Sequence, residues 1–386
     1  MTDFNARLFE FIKQLPKAEI HSHLAGSIRD STLIELMPLD QTHLASVLEN
    51  SKTRTLSECF QVFDVIHKTV NTSTTVTRLV REMVEDNVAD NVVYLEMRST
   101  PRALADFCHA EGAITTTVPG DDWNADLSCL DDPLEAHITG RPARVDAALS
   151  HYVETVVAAI EACPAVRSGA IHVRLILSVN RTSSLASMER IVRLASAWRR
   201  ACPLIVGMDI SGDPTRGQMA PILDLLQREA RPSDMPISIH AGEVMNVAET
   251  EAILAFRPER LGHCCVLSEP HRVRMLSLKI PLELCPTSNC LTLHLPTFSF
   301  HPQADYWLDN AYPVAICTDD SGVFNVTLSQ EIHLVAVTRS LSMSQVADLV
   351  VAAFDFLFCD VSLRKSLRAR ARAEADRLML SFGSSA

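Results

Sequence analysis

The stretch KAEIHSHLAGS, residues 17–27, places His21 and His23 one residue apart near the beginning of a chain of 386 residues. Side chains alternate along a β-strand, so both imidazoles point to the same side of an extended segment. That geometry suits two ligands of one metal ion. Alone, however, such a pair is more typical of polar groups satisfied beside a strand, so other parts of the sequence decide the interpretation.

Three later segments carry metal-compatible side chains at the ends of apolar, strand-like runs. They are SIHAGE with His240 and Glu243, RLGH with His263, and AICTDD with Asp319 and Asp320. Each alone has an ordinary alternative, either a core histidine or a solvated turn or helix cap. Together they indicate a catalytic zinc site, in which three histidines and a carboxylate hold the ion beside further acid and base groups.

Eight strand candidates alternate with mostly helical stretches. The candidates are residues 17–24, 91–99, 170–178, 204–211, 236–242, 260–263, 280–285 and 313–319. Between them apolar residues recur at spacings of three and four, as in 74–90, 145–162 and 185–201. This alternation predicts an α/β fold, a closed (β/α)8 TIM barrel, with a doubly wound open sheet as the alternative. The candidate ligands favour closure, because an open sheet would spread the strand ends too widely to reach one ion.

The chain is interpreted as one catalytic domain, residues 1–386, with two additions to the barrel. Residues 104–142 are polar, acidic and aperiodic, which predicts a long loop insertion. After Asp320 the sequence is strongly helical and ends in a basic helix from Ser362, whose cations we interpret as a solvated face.

Composition limits the classes of partner. The formal charge of −12 argues against a binder of nucleic-acid polymers or membrane surfaces, although a few local arginines can still bind a small phosphorylated ligand. The 11 cysteines are scattered, which is typical of reduced thiols in an intracellular protein. No long apolar leader-like segment occurs, so we expect a cytoplasmic protein, and we expect a monomer.

The candidate residues suit hydrolysis at an electron-poor aromatic carbon. Zinc lowers the pKa of a bound water towards neutrality, which makes hydroxide available. The reaction then needs a group that steers the proton of the water, for which Asp320 is the candidate, and an acid that protonates a ring nitrogen. Glu243 is the candidate acid, and its apolar neighbours in PISIHAGEV are compatible with a carboxyl kept protonated near pH 7.

The motifs HSHLAGS, MDISGDP, HAGE, LGH and CTDD, in this order, resemble the adenosine deaminase family of zinc (β/α)8-barrel enzymes over about residues 17–330. Residues 94–102, 207–217, 281–289 and 316–324 are most similar to the adenosine deaminase-like branch of that family. Members of that branch release methylamine from N6-methyl-AMP and leave IMP. The resemblance therefore implies a zinc hydrolase of purine nucleotides.

The resemblance also implies roles for particular residues. One zinc ion would be bound by His21, His23, His240 and Asp319. Glu243 would donate a proton to purine N1, and His263 would orient the attacking hydroxide. Asp320 would contact the purine and the water, and His23 would also contact the substrate. Gly212, which has no side chain, would present its backbone N–H to the base.

Residues around the second predicted strand would contact the rest of the nucleotide. The positions that match this branch are His67, Ser99, Thr100, Pro101 and Arg102. A phosphate needs a cation and hydrogen-bond donors, which STPR supplies through Ser99, Thr100 and Arg102. Asn180 departs from the branch, which carries an acidic residue there, so substrate preference is open at this contact. Two alternative functions remain open. One is an adenosine or deoxyadenosine deaminase, and the other is a barrel that serves as a binding protein without catalysis.

Overall fold

The computed structural model describes residues 2–37, 54–110 and 142–383. The eight predicted strands are all present and all parallel, in the sequential order of a barrel. They are β1 Lys17–His23, β2 Val92–Ser99, β3 His172–Asn180, β4 Ile205–Ser211, β5 Ile237–Ala241, β6 Arg260–His263, β7 Leu282–Leu284 and β8 Val314–Ile316. The third strand continues two residues past its predicted end and so includes Asn180.

The sheet closes on itself between the last strand and the first. Ser22 and Asp319 form a parallel bridge, the His23 N–H donates to the Asp319 carbonyl at 2.8 Å, and the Asp319 N–H donates to the His21 carbonyl at 2.9 Å. Because neighbouring strands follow chain order, the fold is the predicted (β/α)8 barrel and not an open sheet. The closing contact therefore uses the same residues as the candidate ligands.

Helices surround the barrel and extend beyond it. They are α1 Thr2–Gln14, α2 Asp30–Leu36, α3 Leu56–Thr69, α4 Ser73–Ala89, α5 Ala105–Ala110, α6 Pro142–Ala162, α7 Pro164–Arg167, α8 Leu185–Ala201, α9 Met219–Glu229, α10 Val247–Phe256, α11 Glu269–Leu278, α12 Pro286–Thr292, α13 Ala304–Asp309, α14 Leu328–Thr338, α15 Met343–Ala352 and α16 Val361–Gly383. Short 3-10 helices lie at Ala25–Ser27, Arg231–Ser233, Phe298–Phe300 and Ala353–Phe356. The helices predicted at 74–90, 145–162 and 185–201 correspond to α4, α6 and α8.

Helix α4 illustrates how the sequence sets these elements. Thr72 caps its first turn, since its hydroxyl accepts from the Thr75 N–H at 3.2 Å and the Thr75 hydroxyl accepts from the Thr72 N–H at 3.1 Å. Val76, Leu79 and Val80 recur on one face and are buried. The exposed face is polar, so the pattern that predicts the helix also fixes the side that it packs on the barrel.

The interior of the barrel is unusually polar. Many strand side chains are aliphatic and buried, as parallel strands covered on both faces require. Seven Asp, Glu, Lys or Arg residues on the strands have no solvent exposure, and five of them form one group of ion pairs, namely Glu96, Arg98, Asp209, Arg260 and Glu283. Buried charges need partners, and these five residues supply one another.

The two predicted additions differ in what the structure describes. Residues 111–141 of the predicted insertion lie outside the described residues, and its near flank forms α5. The C-terminal region is helical as expected, and the basic helix α16 uses Arg368 and Arg372 to pair with Asp355 and Asp348 at its surface. Assignment of residues 1–386 to one domain remains a prediction, although the described elements share a contiguous hydrophobic core.

Two smaller expectations concern thiols and membranes. The nine cysteines whose side chains the structure describes are all free, and most are buried. In the described part of the chain, no helix combines the length and the apolar character that crossing a bilayer requires. The predicted monomeric state and cytoplasmic location stay predictions.

Helix α14 provides a test of the capping argument. Thr327 accepts from the Gln330 N–H at 3.3 Å, and its own N–H donates to the Gln330 side chain at 2.7 Å. Thr327→Ala removes this acceptor, and we expect the free energy of unfolding to fall by about 1 kcal/mol in urea denaturation. Thr338→Ala, in the last turn of the same helix, is the control and should change it by less than about 0.5 kcal/mol. Equal losses would contradict the capping role.

Candidate functional site

Four side chains converge at the carboxyl end of the barrel. His21 and His23 come from the end of β1, His240 from β5 and Asp319 from just beyond β8, and their potential ligand atoms all lie within 4.8 Å of one another. His240 Nε2 is 3.1 Å from His21 Nε2 and 3.3 Å from His23 Nε2. Asp319 Oδ1 is 3.4 Å from each of those two nitrogens. The structure thus brings the four predicted ligands together.

The spacing and the hydrogen bonds of this cluster fit a tetrahedral cation. Ligand nitrogens about 2.0–2.1 Å from zinc lie about 3.3 Å apart at tetrahedral angles. His21 Nδ1 lies 2.8 Å from Glu283 Oε2, and His240 Nδ1 lies 3.0 Å from Asp209 Oδ1. Each Nδ1–H donates to a carboxylate, so in the neutral rings both Nε2 lone pairs face one another. A bound cation would accept both of these Nε2 lone pairs at once. A proton between the two nitrogens could do so only by making one of the rings cationic.

Sequence reasoning missed Asp209 and Glu283 as parts of the site. Both lie inside strands, in GMDIS and PLELC, and both are fully buried. Carboxylates that accept from the second nitrogen of a metal-binding histidine fix its tautomer and ring orientation. The signal available in the sequence was a charged residue inside an otherwise apolar strand.

Arg98 on β2 connects these two carboxylates. Its Nη1 is 2.9 Å from Asp209 Oδ1 and its Nη2 is 2.5 Å from Glu283 Oε2, while Arg260 Nε is 2.8 Å from Glu283 Oε1. Burial raises the pKa of the Glu283 carboxyl, but the charges of Arg98 and Arg260 outweigh burial and hold it below its ordinary value. Asp209 is likewise held ionised against burial, with its pKa lowered by His240 and Arg98. Both carboxylates are therefore available as acceptors.

Glu243 lies in the turn that follows β5, three residues after His240. It is half-buried, and the loss of hydration raises the pKa of its carboxyl to about 7, against an opposing effect of His240. A carboxyl with that pKa is substantially protonated at neutral pH, so it can act as an acid. This placement is compatible with the role that the sequence resemblance implies.

Asp320 is buried next to Asp319, against the backbone of the loop after β1. A Cβ atom on Gly26 would overlap the Asp320 carboxylate, so only glycine permits this approach. Burial, and then the charge of Asp319, raise the pKa of Asp320 well above its ordinary value. The alternative of a solvated turn therefore does not hold, because Asp319 and Asp320 are only 6% and 9% exposed.

His263 ends β6 and faces the histidine cluster. Its ring centroid is 5.1 Å from that of His21 and 4.9 Å from that of His240. Asn289 Nδ2, on helix α12, lies 3.0 Å from His263 Nδ1. The neighbouring Ser288 donates to Asp319 Oδ2 at 2.7 Å, so one short helix contacts two predicted site residues.

Two of the predicted nucleotide-contacting residues, Ser99 at the end of β2 and Arg102 after it, are held in place by contacts with other parts of the chain. Ser99 Oγ is 2.6 Å from the hydroxyl of Tyr152 on α6. Arg102 is half-buried, donates from Nη2 to the Val70 carbonyl at 2.7 Å and lies 5.7 Å from the Tyr152 ring centroid. Thr100 and Pro101 form the connection between them. Arg102 is thus a positioned cation rather than a free surface charge.

His67 lies in the last turn of α3. Its Nδ1 donates to the Phe63 carbonyl at 2.7 Å in the neutral ring, which leaves Nε2 as an acceptor. Burial, assisted by the charge of Arg102, lowers the pKa of His67 to about 4. The histidine and the arginine therefore belong to one electrostatic neighbourhood, and His67 is neutral near pH 7.

Asn180 and Gly212 meet at the ends of β3 and β4. The Asn180 side-chain oxygen accepts from the Thr182 N–H at 3.0 Å and from the Thr182 hydroxyl at 2.9 Å. Gly212 has a φ of +109°, and a Cβ there would overlap Asn180 Oδ1. Asn180 therefore stabilises a local turn, while its amide group and the glycine backbone lie side by side.

The closed barrel and the buried cluster at its carboxyl end define a barrel enzyme with a candidate metal centre. Residues 16–373 match the adenosine deaminase family. The chain belongs to that family and is a hydrolytic purine deaminase.

Its relatives include proteins named N6-methyl-AMP deaminase. The one from Arabidopsis thaliana is 34% identical over 374 residues, covering 93% of this chain and 97% of the relative, and the one from Homo sapiens is 31% identical over 371 residues, covering 93% of each. A solved apo structure of the Arabidopsis enzyme superposes with a TM-score of 0.77 at 32% identity, covering 95% of this chain and 98% of that one. Another structure of the Arabidopsis protein contains IMP, with the same TM-score and identity and coverage of 95% and 99%.

The buried carboxylates generate a test of the candidate metal centre. Asp209→Asn weakens the acceptor for His240 Nδ1–H, and we expect zinc affinity to fall about 10- to 100-fold in competition with a chromophoric chelator. Ser178→Ala, which removes only the hydroxyl that donates to Asp209 Oδ2 at 3.1 Å, is the matched control and should have a much smaller effect. Unchanged affinity in Asp209→Asn would argue against a cation at this cluster.

Proposed function

We propose that the protein is a zinc-dependent deaminase that converts N6-methyl-AMP and water into IMP and methylamine. The observation that carries this proposal is the convergence of three histidine Nε2 atoms and the Asp319 carboxylate beside the high-pKa carboxyl of Glu243. The preference for a nucleotide is supported by Arg102 and by the names of the relatives.

We assign one zinc ion per chain to His21, His23, His240 and Asp319. When bound, zinc acts as a Lewis acid that lowers the pKa of a water towards neutrality. Burial lowers the pKa of His23 to about 3, so this imidazole is neutral. Against burial and the charge of Arg98, hydrogen bonds to Asp319 and Glu283 raise the pKa of His21 to about 9, so a bound cation would take the place of the proton on its Nε2. The Nδ1–H groups of His21 and His240 stay on their carboxylate acceptors. The buried setting also strengthens the electrostatic effect of every fixed charge around the site.

Glu243 is assigned the role of proton donor to purine N1. When the water oxygen bonds to C6, an electron pair moves to N1, which then needs a proton. A carboxyl with a pKa of about 7 supplies one at neutral pH. The C6–N6 bond then breaks, and methylamine leaves with one proton of the water, while the other water proton restores the carboxyl of Glu243. Asp320 and His263 are assigned to orient that water, and Asp320 with His23 to contact the purine.

We assign binding of the phosphate and ribose of the nucleotide to the residues at the end of β2 and just after it, together with their neighbours. Ser99, Thr100 and Arg102 provide donors and a cation for the 5′-phosphate, with Pro101 fixing the turn. His67 Nε2 is an acceptor in the neutral ring, so it suits a ribose hydroxyl better than a phosphate. Gly212 is assigned to the base through its N–H, and Asn180 to the same side of the pocket.

The defining experiment compares four substrates on purified, zinc-loaded protein. N6-methyl-AMP, N6-methyladenosine, AMP and adenosine are incubated in parallel, and IMP or inosine is quantified. We expect kcat/KM for N6-methyl-AMP to exceed those of both nucleosides. Faster turnover of adenosine would favour the adenosine deaminase alternative, and no turnover with metal bound would favour a binding protein.

The proton-donor role predicts a loss in the chemical step. Glu243→Gln keeps the shape of the side chain and cannot release a proton, so kcat should fall about 10²- to 10⁴-fold with little change in KM. Glu251→Gln, at an exposed site on α10, is the matched control and should retain activity. Zinc content is measured in both, and a full kcat in Glu243→Gln would exclude the role.

The phosphate role predicts a loss confined to nucleotides. Arg102→Ala should raise KM for N6-methyl-AMP by about 10-fold or more, in the range of a charge-assisted hydrogen bond, and leave N6-methyladenosine unchanged. Arg102→Lys keeps the charge without the planar fork and should recover part of the loss. An equal effect on nucleotide and nucleoside would show that Arg102 serves the structure rather than the phosphate.

A further inference from the structure

A buried chain of hydrogen bonds connects His263 to the start of helix α13. Asn289 lies between His263 and His301, with its Nδ2 3.0 Å from His263 Nδ1 and its Oδ1 3.3 Å from His301 Nε2. The three side chains are 2%, 1% and 5% exposed, in the order His263, Asn289 and His301. Water is therefore kept away, and each polar atom depends on its protein partner.

The far end of this chain fixes the protonation of His301. The backbone N–H groups of Gln303 and Ala304 both donate to His301 Nδ1, at 3.2 and 3.0 Å. A nitrogen that accepts two hydrogen bonds carries no proton, so the proton of His301 is on Nε2. Burial also lowers the pKa of His301 to about 4, which agrees with a neutral ring.

The protonation of His301 determines the orientation of the Asn289 amide. His301 Nε2–H is a donor, so the atom of Asn289 that faces it must be the acceptor Oδ1. The reversed amide would place Nδ2 against Nε2–H, two donors with no water to separate them. Asn289 Nδ2 therefore faces His263 and donates to its Nδ1.

We infer that this relay holds His263 as the neutral tautomer with its proton on Nε2. His263 Nδ1 accepts from Asn289 and so has no proton, which leaves Nε2–H as the donor available inside the site. The inference rests on the proposed function and deepens it. His263 then donates a hydrogen bond to the attacking oxygen and does not remove a proton from the water.

Asn289 and His301 are thus positioning residues that act through His263. Neither belongs to the four-residue ligand cluster, and His301 is connected to His263 through Asn289. A preset donor costs no reorientation when charge develops on the attacking oxygen. Loss of the relay should therefore lower kcat more than it changes KM.

The tautomer can be read directly, without substrate. In zinc-loaded protein with 15N-labelled histidines, long-range proton–nitrogen spectra distinguish a protonated from an unprotonated ring nitrogen, and His263→Gln assigns the signal. We expect His263 with a protonated Nε2 and an unprotonated Nδ1. A wild-type signal with the proton on Nδ1, or on both nitrogens, would overturn the relay even if every variant failed to fold.

Variants connect the tautomer to the reaction. Asn289→Leu removes both amide contacts, so the His263 signals should shift towards a mixture of tautomers and kcat should fall about 10²-fold with zinc retained. His301→Phe frees the amide to reverse and should produce a smaller change of the same kind. Ser299→Ala, at an exposed position two residues before His301, is the control and should change neither readout.

The outcomes separate the relay from the proposed substrate. A mixed tautomer in Asn289→Leu with undiminished kcat would overturn the role of the relay in the reaction. A wild-type protein that shows the expected tautomer but turns over none of the four purine substrates would instead refute the proposed function. In that case the relay would stand as a property of the barrel.

Discussion

The guanidinium of Arg98 holds together the two carboxylates on which the site geometry rests. It bridges Asp209 and Glu283, and each of these carboxylates accepts from a histidine of the converging cluster. The histidines lie on strands β1 and β5, which are far apart around the barrel, so the connection spans its interior. Because all of these groups are buried, no water can replace a missing partner. Ring orientation is therefore set by the barrel before any substrate arrives.

Backbone conformation contributes a second constraint at the strand ends. His263 and Asp319 have positive φ values, 63° and 64°, in a region that residues with side chains seldom adopt. Such strain persists only where the surroundings determine it, and it is common at functional sites. Here the backbone of Asp319 forms the hydrogen bonds that close the barrel between β8 and β1. The same contact therefore orients the Asp319 carboxylate towards the histidines.

The fold was largely predictable, because parallel strands covered on both faces give short apolar runs, and helices with one buried face give spacings of three and four. The four clustered residues were predictable too, since each ends a strand and such ends meet at one face of a barrel. The sequence did not predict the site roles of Asp209, Glu283 and Arg98. A charged residue within a strand normally indicates exposure, and the partners of these three lie far away in the sequence. The roles of Asn289 and His301 could not be predicted for a related reason. They depend on two backbone N–H groups that donate to His301, and a sequence pattern does not reveal such contacts.

The buried charges of the barrel also bear on which ion the centre can hold. Two guanidinium groups, Arg98 and Arg260, face the carboxylates of Glu96, Asp209 and Glu283, and the Asp319 carboxylate lies just above them. Within this set, four formal negative charges face two positive ones, and a divalent cation at the cluster would cancel the difference. A divalent ion bound at this cluster would therefore contribute to the charge neutrality of the core as well as to chemistry.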